Sequence, residues 1–270
     1  MDWGLQNRLA RIIRPETGRT VMLAVDHGYF MGPTTGLEAP RRTIEPLLPF
    51  TDALMLTRGV LRTSVPPTSP VSIVLRVSGG ASILSDLSHE AIVTTMHDAV
   101  RLNAAAVAAS IFVGSSHEHQ TLVNLGGLIS EGQTYGMPVL AVTAVGKELE
   151  RRDARYLALC CRIAAELGAQ IVKTYFCDDF HKVVERCPVP IVVAGGPRLA
   201  TELDVFELAY QATQMGAVGV DMGRNIWQHD FSVAMIKAIR GIVHHRLTAA
   251  EAQDVFLSAR EEGVQPTILS

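Results

Sequence analysis

Three observations predict a (β/α)8 TIM barrel. Eight short apolar runs alternate with helical patterns over roughly 250 residues, the strand and helix count of that fold. Glycines and polar residues gather where those runs end, which is where a barrel carries its chemistry. The turn after the first run reads DHGYFMGP, not the Gly-rich fingerprint that a doubly wound open sheet places there.

The elements follow in order. Residues 2–14 form an amphipathic pattern with Leu5, Leu9, Ile12 and Ile13 on one side, ended by Pro15 and Gly18. This helix is expected to cover the barrel bottom or to make an oligomer contact. Strands are expected at 21–26, 53–57, 72–77, 106–112, 139–143, 170–175, 191–194 and 219–222. Helices are expected around 38–48, 89–102, 117–135, 149–167, 180–187, 202–215 and 231–245. In the 149–167 segment Leu157, Ala158, Cys161, Ala164 and Ala165 share a face. A last helix around 249–261 reads as an exterior addition. Linkers, charge runs and internal repeats that would split the chain are missing from the sequence, so residues 1–270 are read as a single domain.

Composition narrows the function classes. The chain is 48% hydrophobic and 19% charged, which fits an ordered globular core. A net charge of −3 supplies no basic field for nucleic acid. No apolar run approaches the length of a bilayer span. Cys160, Cys161, Cys177 and Cys187 form no CxxC pair, and no secretory segment is recognisable. Reduced thiols and a cytoplasmic location are the expectation. His117, Glu118 and His119 invite a metal reading, but histidines at i and i+2 do not share a helical face, so no metal site is expected. His244 and His245 end a helix, where cations suit the dipole.

One lysine draws attention. Lys173 stands in AQIVKTYF, flanked by β-branched and aromatic residues. Two readings are open for it. It can snorkel or pair with a carboxylate at a strand end. Alternatively, burial can lower its pKa and leave a neutral amine that attacks a ketone to form a Schiff base. Asp26, at the end of the first strand, is placed to exchange protons with a carbinolamine, or it caps a loop. His27 next door is a proton shuttle, a substrate hydrogen-bond donor or a structural histidine. The loops after strands seven and eight read AGGP and MGRN. Together they suggest a phosphate cradle from Gly195, Gly196 and Gly223, with Arg224 adding a charge.

Taken together, VMLAVDHGYFMGPTTGLE, LMLTRGVLR, SVPPTSP, AVTAVGKE, AAELGAQIVKTYF, CPVPIVVAGG and GVDMGRNIWQ resemble the LsrF-type thiolases of the DhnA/DeoC-type class I aldolase group. The resemblance runs from Asp2 to His245. It implies a (β/α)8 barrel with Lys173 as the Schiff-base lysine, Asp26 and His27 as its polar partners, and Gly195, Gly196, Gly223 and Arg224 on the phosphate. The implied reaction takes 3-hydroxy-5-phosphonooxypentane-2,4-dione and coenzyme A to dihydroxyacetone phosphate and acetyl-CoA, the end of autoinducer-2 processing. Coenzyme A is then a co-substrate and no cofactor stays bound. Arg58, Arg62 and Lys147 near the rim are candidates for its phosphates. A class I fructose-bisphosphate-type aldolase is the alternative, and a non-catalytic phosphosugar-binding barrel a third reading. Relatives in this group form decamers of pentameric rings, so a homo-oligomer is implied. Two departures stand out. Thr143-Ala144-Val145-Gly146 occupies the place of the aldolase YPRG pattern, whose tyrosine is an acid/base. Pro197 and Arg198 follow Gly196 as in the aldolases.

Overall fold

A computed structural model describes residues 2–144 and 153–263. Eight parallel strands close on themselves. They are β1 Thr20–Ala24, β2 Ala53–Thr57, β3 Ser72–Arg76, β4 Ala106–Ile111, β5 Val139–Thr143, β6 Ile171–Tyr175, β7 Ile191–Ala194 and β8 Gly219–Met222. Neighbours in sequence are neighbours in the barrel, and β8 returns to β1. Closure depends on one glycine. Gly219 pairs with Thr20, and a Cβ at Gly219 would collide with the Thr20 carbonyl.

The strands sort their residues by the period of two. Outward residues such as Leu23, Leu54, Leu75, Val107, Val172 and Val220 meet the surrounding helices in the larger core. Inward residues Met22, Ala53, Val74, Ala106, Leu140, Ile171 and Val192 fill the lower barrel. Helix Trp3–Ile12 covers that end: Ile12 is fully buried there, and Leu9 and Ile13 pack beside it. Of its two expected positions, the barrel bottom is the one observed. Asp2 caps the helix by accepting from the Leu5 amide at 2.8 Å.

Two expectations need correction. The helix expected over 89–102 is mostly extended. Ala91–Ile92 pairs antiparallel with Ser78–Gly79, and only Met96–Arg101 is helical. The run Ile92, Val93, Thr94 and Thr95 is β-branched throughout and favours extended backbone, until the Thr95 side chain caps the helix at Asp98. The segment expected as one helix over 38–48 is Pro40–Ile44 followed by a 3-10 turn Glu45–Phe50, broken at Pro46 and Pro49. A helix at Arg58–Ser64, not expected from the sequence, follows β2 directly. The start of the 149–167 segment lies outside the described residues; from Ala154 to Glu166 it is helical, with Cys160 and Cys161 buried as packing residues. None of the described helices is long and apolar enough to cross a membrane.

Candidate active site

Following the strands upward from the apolar layer leads into a pocket lining that is polar at β1, β3, β4 and β6. Met22 and Ala24 lead to Asp26, Val74 to Arg76, Ala108 to Ser110, Ile171 to Lys173, and Val192 to Ala194. The same inward register brings Asp221 and Gly223 from β8 and its loop. These residues line a pocket of about 360 Å³ at the C-terminal ends of the strands. All seven residues singled out from the sequence are there: Lys173, Asp26, His27, Gly195, Gly196, Gly223 and Arg224.

Lys173 is 8% exposed, and its Nζ lies 2.9 Å from Asp221 Oδ2. Of the two readings of this lysine, the structure supplies the carboxylate partner of the first and the buried, pocket-facing position of the second. Asp221 was not singled out from the sequence. The signal was there, because a carboxylate inside the apolar run GVDM is as costly to bury as the lysine in QIVKTY. Burial, the largest influence, holds the Asp221 carboxyl above its ordinary value, against the pull of Lys173. Asp26 ends on the other side of this balance. Burial alone would raise it, but Arg76, His27 and Lys173 together hold it below its ordinary value. The Arg76 Nε donates to Asp26 Oδ2 at 2.9 Å, and its Nη1 donates to Ser110 Oγ at 2.8 Å. Two carboxyls in one pocket therefore sit on opposite sides of their usual range.

His27 is pushed down to about 4, chiefly by burial, with Lys173, Arg224 and Arg76 adding to the effect against Asp26. It is a neutral imidazole at pH 7. Its Nδ1 is 3.8 Å from Asp26 Oδ1, too long for a hydrogen bond. Its ring meets Trp227 edge-on at 5.4 Å, and Trp227 Nε1 donates to the Ala24 carbonyl.

The two glycine loops face each other across Asn225. Its side-chain amide donates to the carbonyls of Gly195 at 2.8 Å and Pro197 at 3.1 Å, and its oxygen accepts from the Leu199 amide at 2.8 Å. Gly196 adopts φ +67°, the left-handed conformation that glycine enters without penalty. At Gly223 a Cβ would lie 2.5 Å from the Ala24 carbonyl oxygen and 2.8 Å from His27 Cε1, so only glycine fits there.

A second polar cluster in the same pocket was not anticipated. The Tyr29 hydroxyl donates to Glu90 Oε1 at 2.6 Å, and Ser78 Oγ donates to Glu90 Oε2 at 2.6 Å. Tyr29 and Glu90 both line the cavity. Thr143, at the place of the aldolase tyrosine, does not line it: Thr143 is buried and its hydroxyl donates to Thr174 Oγ1 at 2.8 Å, while Ala144 beside it faces the cavity. Val145, Gly146 and Lys147 lie outside the described residues. Arg58 is paired with Asp98 at 3.0 Å and does not line the pocket. His117 stacks on His89 at 4.4 Å and bonds Ser88, beside the start of helix Glu118–Tyr135.

Comparison with known proteins places this geometry. Residues 20–229 match the DeoC/LacD family aldolase description. A 3-hydroxy-5-phosphonooxypentane-2,4-dione thiolase of Photorhabdus laumondii is 54% identical over 97% of this chain and 89% of its own length. The thiolase of the same description from Yersinia pseudotuberculosis is 56% identical over 95% of this chain and 88% of its own. A solved Schiff base-forming fructose-1,6-bisphosphate aldolase superimposes with a TM-score of 0.79 at 26% identity, covering 88% of this chain and 99% of that one. A closed eight-stranded barrel with a buried lysine on its sixth strand, matched along 20–229 by the family description, puts the chain in the DeoC/LacD family of aldolases.

Proposed function

We propose that this protein cleaves 3-hydroxy-5-phosphonooxypentane-2,4-dione with coenzyme A, giving dihydroxyacetone phosphate and acetyl-CoA, by way of an imine on Lys173. The observation that carries the reading is the 54–56% identity to thiolases of that description along nearly the whole chain. The pocket is consistent with it. The glycine loops after β7 and β8, with Arg224, bind the phosphoryl group. That anchors the neighbouring ketone beside Lys173. Asp221, held ready to accept a proton by its burial, takes one from the Lys173 ammonium and leaves a neutral amine to attack the ketone. Asp221 rather than Asp26 is then the proton carrier, a shift from the role first expected of Asp26. Asp26 stays ionised on Arg76 and offers fixed negative charge to the iminium. His27, neutral, offers hydrogen bonding without charge.

The thiol sulfur adds to the acetyl carbonyl, the carbon–carbon bond breaks, and its electron pair flows into the iminium to give an enamine. Protonation and hydrolysis release dihydroxyacetone phosphate. A class I aldolase needs a base for the hydroxyl of its second fragment; Thr143, at the corresponding place, is an alcohol bonded to Thr174 away from the cavity and supplies none, which favours thiolysis. The proposal extends to a single barrel domain over residues 1–270, in a cytoplasmic homo-oligomer. The test is acetyl-CoA formation from the phosphorylated dione, run beside a fructose-bisphosphate cleavage assay without coenzyme A. Cleavage that proceeds without coenzyme A, and no acetyl-CoA, would establish the aldolase instead.

A further inference from the structure

The pocket holds two ionisable stations, and the mechanism above uses only one. Lys173, Asp221 and Asp26 form the first. Glu90, Tyr29 and Ser78 form the second, and Arg76 stands between them. Arg76 bonds Asp26 on one side, while its guanidinium carbon lies 5.2 Å from the Tyr29 ring centroid on the other. Glu90 is 3% exposed yet lines the cavity. Its carboxylate accepts one bond per oxygen, which leaves lone pairs for a third donor. Asn124 pins its backbone carbonyl at 3.1 Å, so the group is held from both ends.

Topology says which part of a substrate Glu90 meets. Glu90 ends the loop that follows β3, and Ser78 lies just beyond that strand. The glycine loop follows β7. In a closed ring of eight strands β3 and β7 are diametrically opposed. A substrate held by its phosphoryl group at β7 and β8 therefore passes Lys173 and presents its far end towards Glu90. The wall around that end is apolar, formed by Phe30, Ile83, Leu87 and Phe112. Such a wall suits a methyl ketone and the thiol end of an uncharged arm.

We propose that Glu90 is the general base that takes the thiol proton of the acyl acceptor and returns it to the three-carbon fragment, with Tyr29 and Ser78 as positioning residues. This rests on the thiolase reading above. The S–H proton passes to Glu90 as sulfur bonds to the acetyl carbonyl carbon. The carbon–carbon bond breaks, and its electron pair neutralises the iminium. The carbon of the enamine then takes the proton from Glu90. The water released when the imine formed equals the water that hydrolyses it, so the thiol hydrogen is the one new hydrogen on dihydroxyacetone phosphate. Tyr29 stays protonated, because burial raises its phenol and Glu90 accepts its hydrogen bond.

The test is acetyl-CoA formation by Glu90→Gln between pH 6 and 8.5, with dihydroxyacetone phosphate binding by calorimetry as the check on the rest of the pocket. The expected result is a loss of about 10²-fold or more at pH 7. That loss should shrink by about tenfold per pH unit over this range, below the pKa of the thiol, as the thiol ionises by itself, while wild type lacks this rise. Near-wild-type turnover at pH 7, or a loss that pH does not relieve, overturns the assignment. If E90Q fails to bind dihydroxyacetone phosphate, Glu90→Asp decides: thiolysis with the wild-type pH profile supports the base, and no thiolysis overturns it. Wild-type protein that forms no acetyl-CoA at any pH removes the thiolase reading itself, and this assignment with it.

Discussion

Lys173 occupies the inward position on β6 between Ile171 below and Tyr175 above. A cation there needs a partner, and Asp221 provides one at 2.9 Å. Lys173→Met should abolish acetyl-CoA formation. It should still fold at pH 6, because Asp221, already raised by burial, can take up a proton once its cation is gone. Turnover assays with circular dichroism check both halves, and residual turnover within tenfold of wild type would end the imine mechanism. The same residues mark what the sequence reveals. Lys173 and Asp26 were legible because each interrupts or ends an apolar run, where a charge needs a reason. Asp221 carries the same signal but was read as part of its strand. Its pairing with Lys173 joins positions 48 residues apart, and no local pattern encodes that. Glu90 sat in a segment read as helix, so its place at the pocket was hidden.

The loops after β7 and β8 act as one element because Asn225 ties them together. Removing it leaves the Gly195 and Pro197 carbonyls and the Leu199 amide without that partner. Asn225→Ala should raise KM for the phosphorylated substrate by about tenfold, the equivalent of about 1.4 kcal/mol, with a smaller change in kcat. Initial-rate kinetics separate the two, and an equal fall in kcat alone would contradict the role. The glycines of AGGP and MGRN were legible as turn-makers after strands. The tie was not, since one amide reaches across about thirty residues. The short pair Ser78–Gly79 and Ala91–Ile92 was missed for a related reason. Two-residue strands have too little sequence for a period-two pattern to emerge.

At the scale of the whole molecule, the end opposite the pocket is held by one carboxylate. Asp52 accepts from the Val21 amide at 2.7 Å and pairs with Arg14, Arg240 and His244 at 3.0, 2.9 and 2.7 Å. It joins the start of β1, the segment before β2 and helix Ser232–His245. His244, expected only to suit a helix dipole, is one of its partners. Burial alone would raise Asp52, but the bonds from His244, Val21 and Arg240 hold it well below its ordinary value. The sign follows. A depressed carboxyl stabilises the fold fully above its unfolded pKa of about 3.9, and that contribution fades as pH falls through the folded value. Asp52→Asn should destabilise by about 3 kcal/mol at pH 7 and by much less near pH 2, where the folded carboxyl begins to take up its proton. Urea melts at the two pH values measure it, and a pH-independent loss would contradict the linkage.

The helix seated under the barrel, with Ile12 of its last turn buried in the lower core, has a kinetic corollary. It seals one end, so reactants and products share a single doorway. On the proposed reading the three-carbon fragment is still bonded to Lys173 when the thioester forms, so the thioester leaves first. Dihydroxyacetone phosphate should then compete with the dione in product-inhibition kinetics, while acetyl-CoA should not. Competition by acetyl-CoA against the dione would mean that the queue at this doorway runs in the other order.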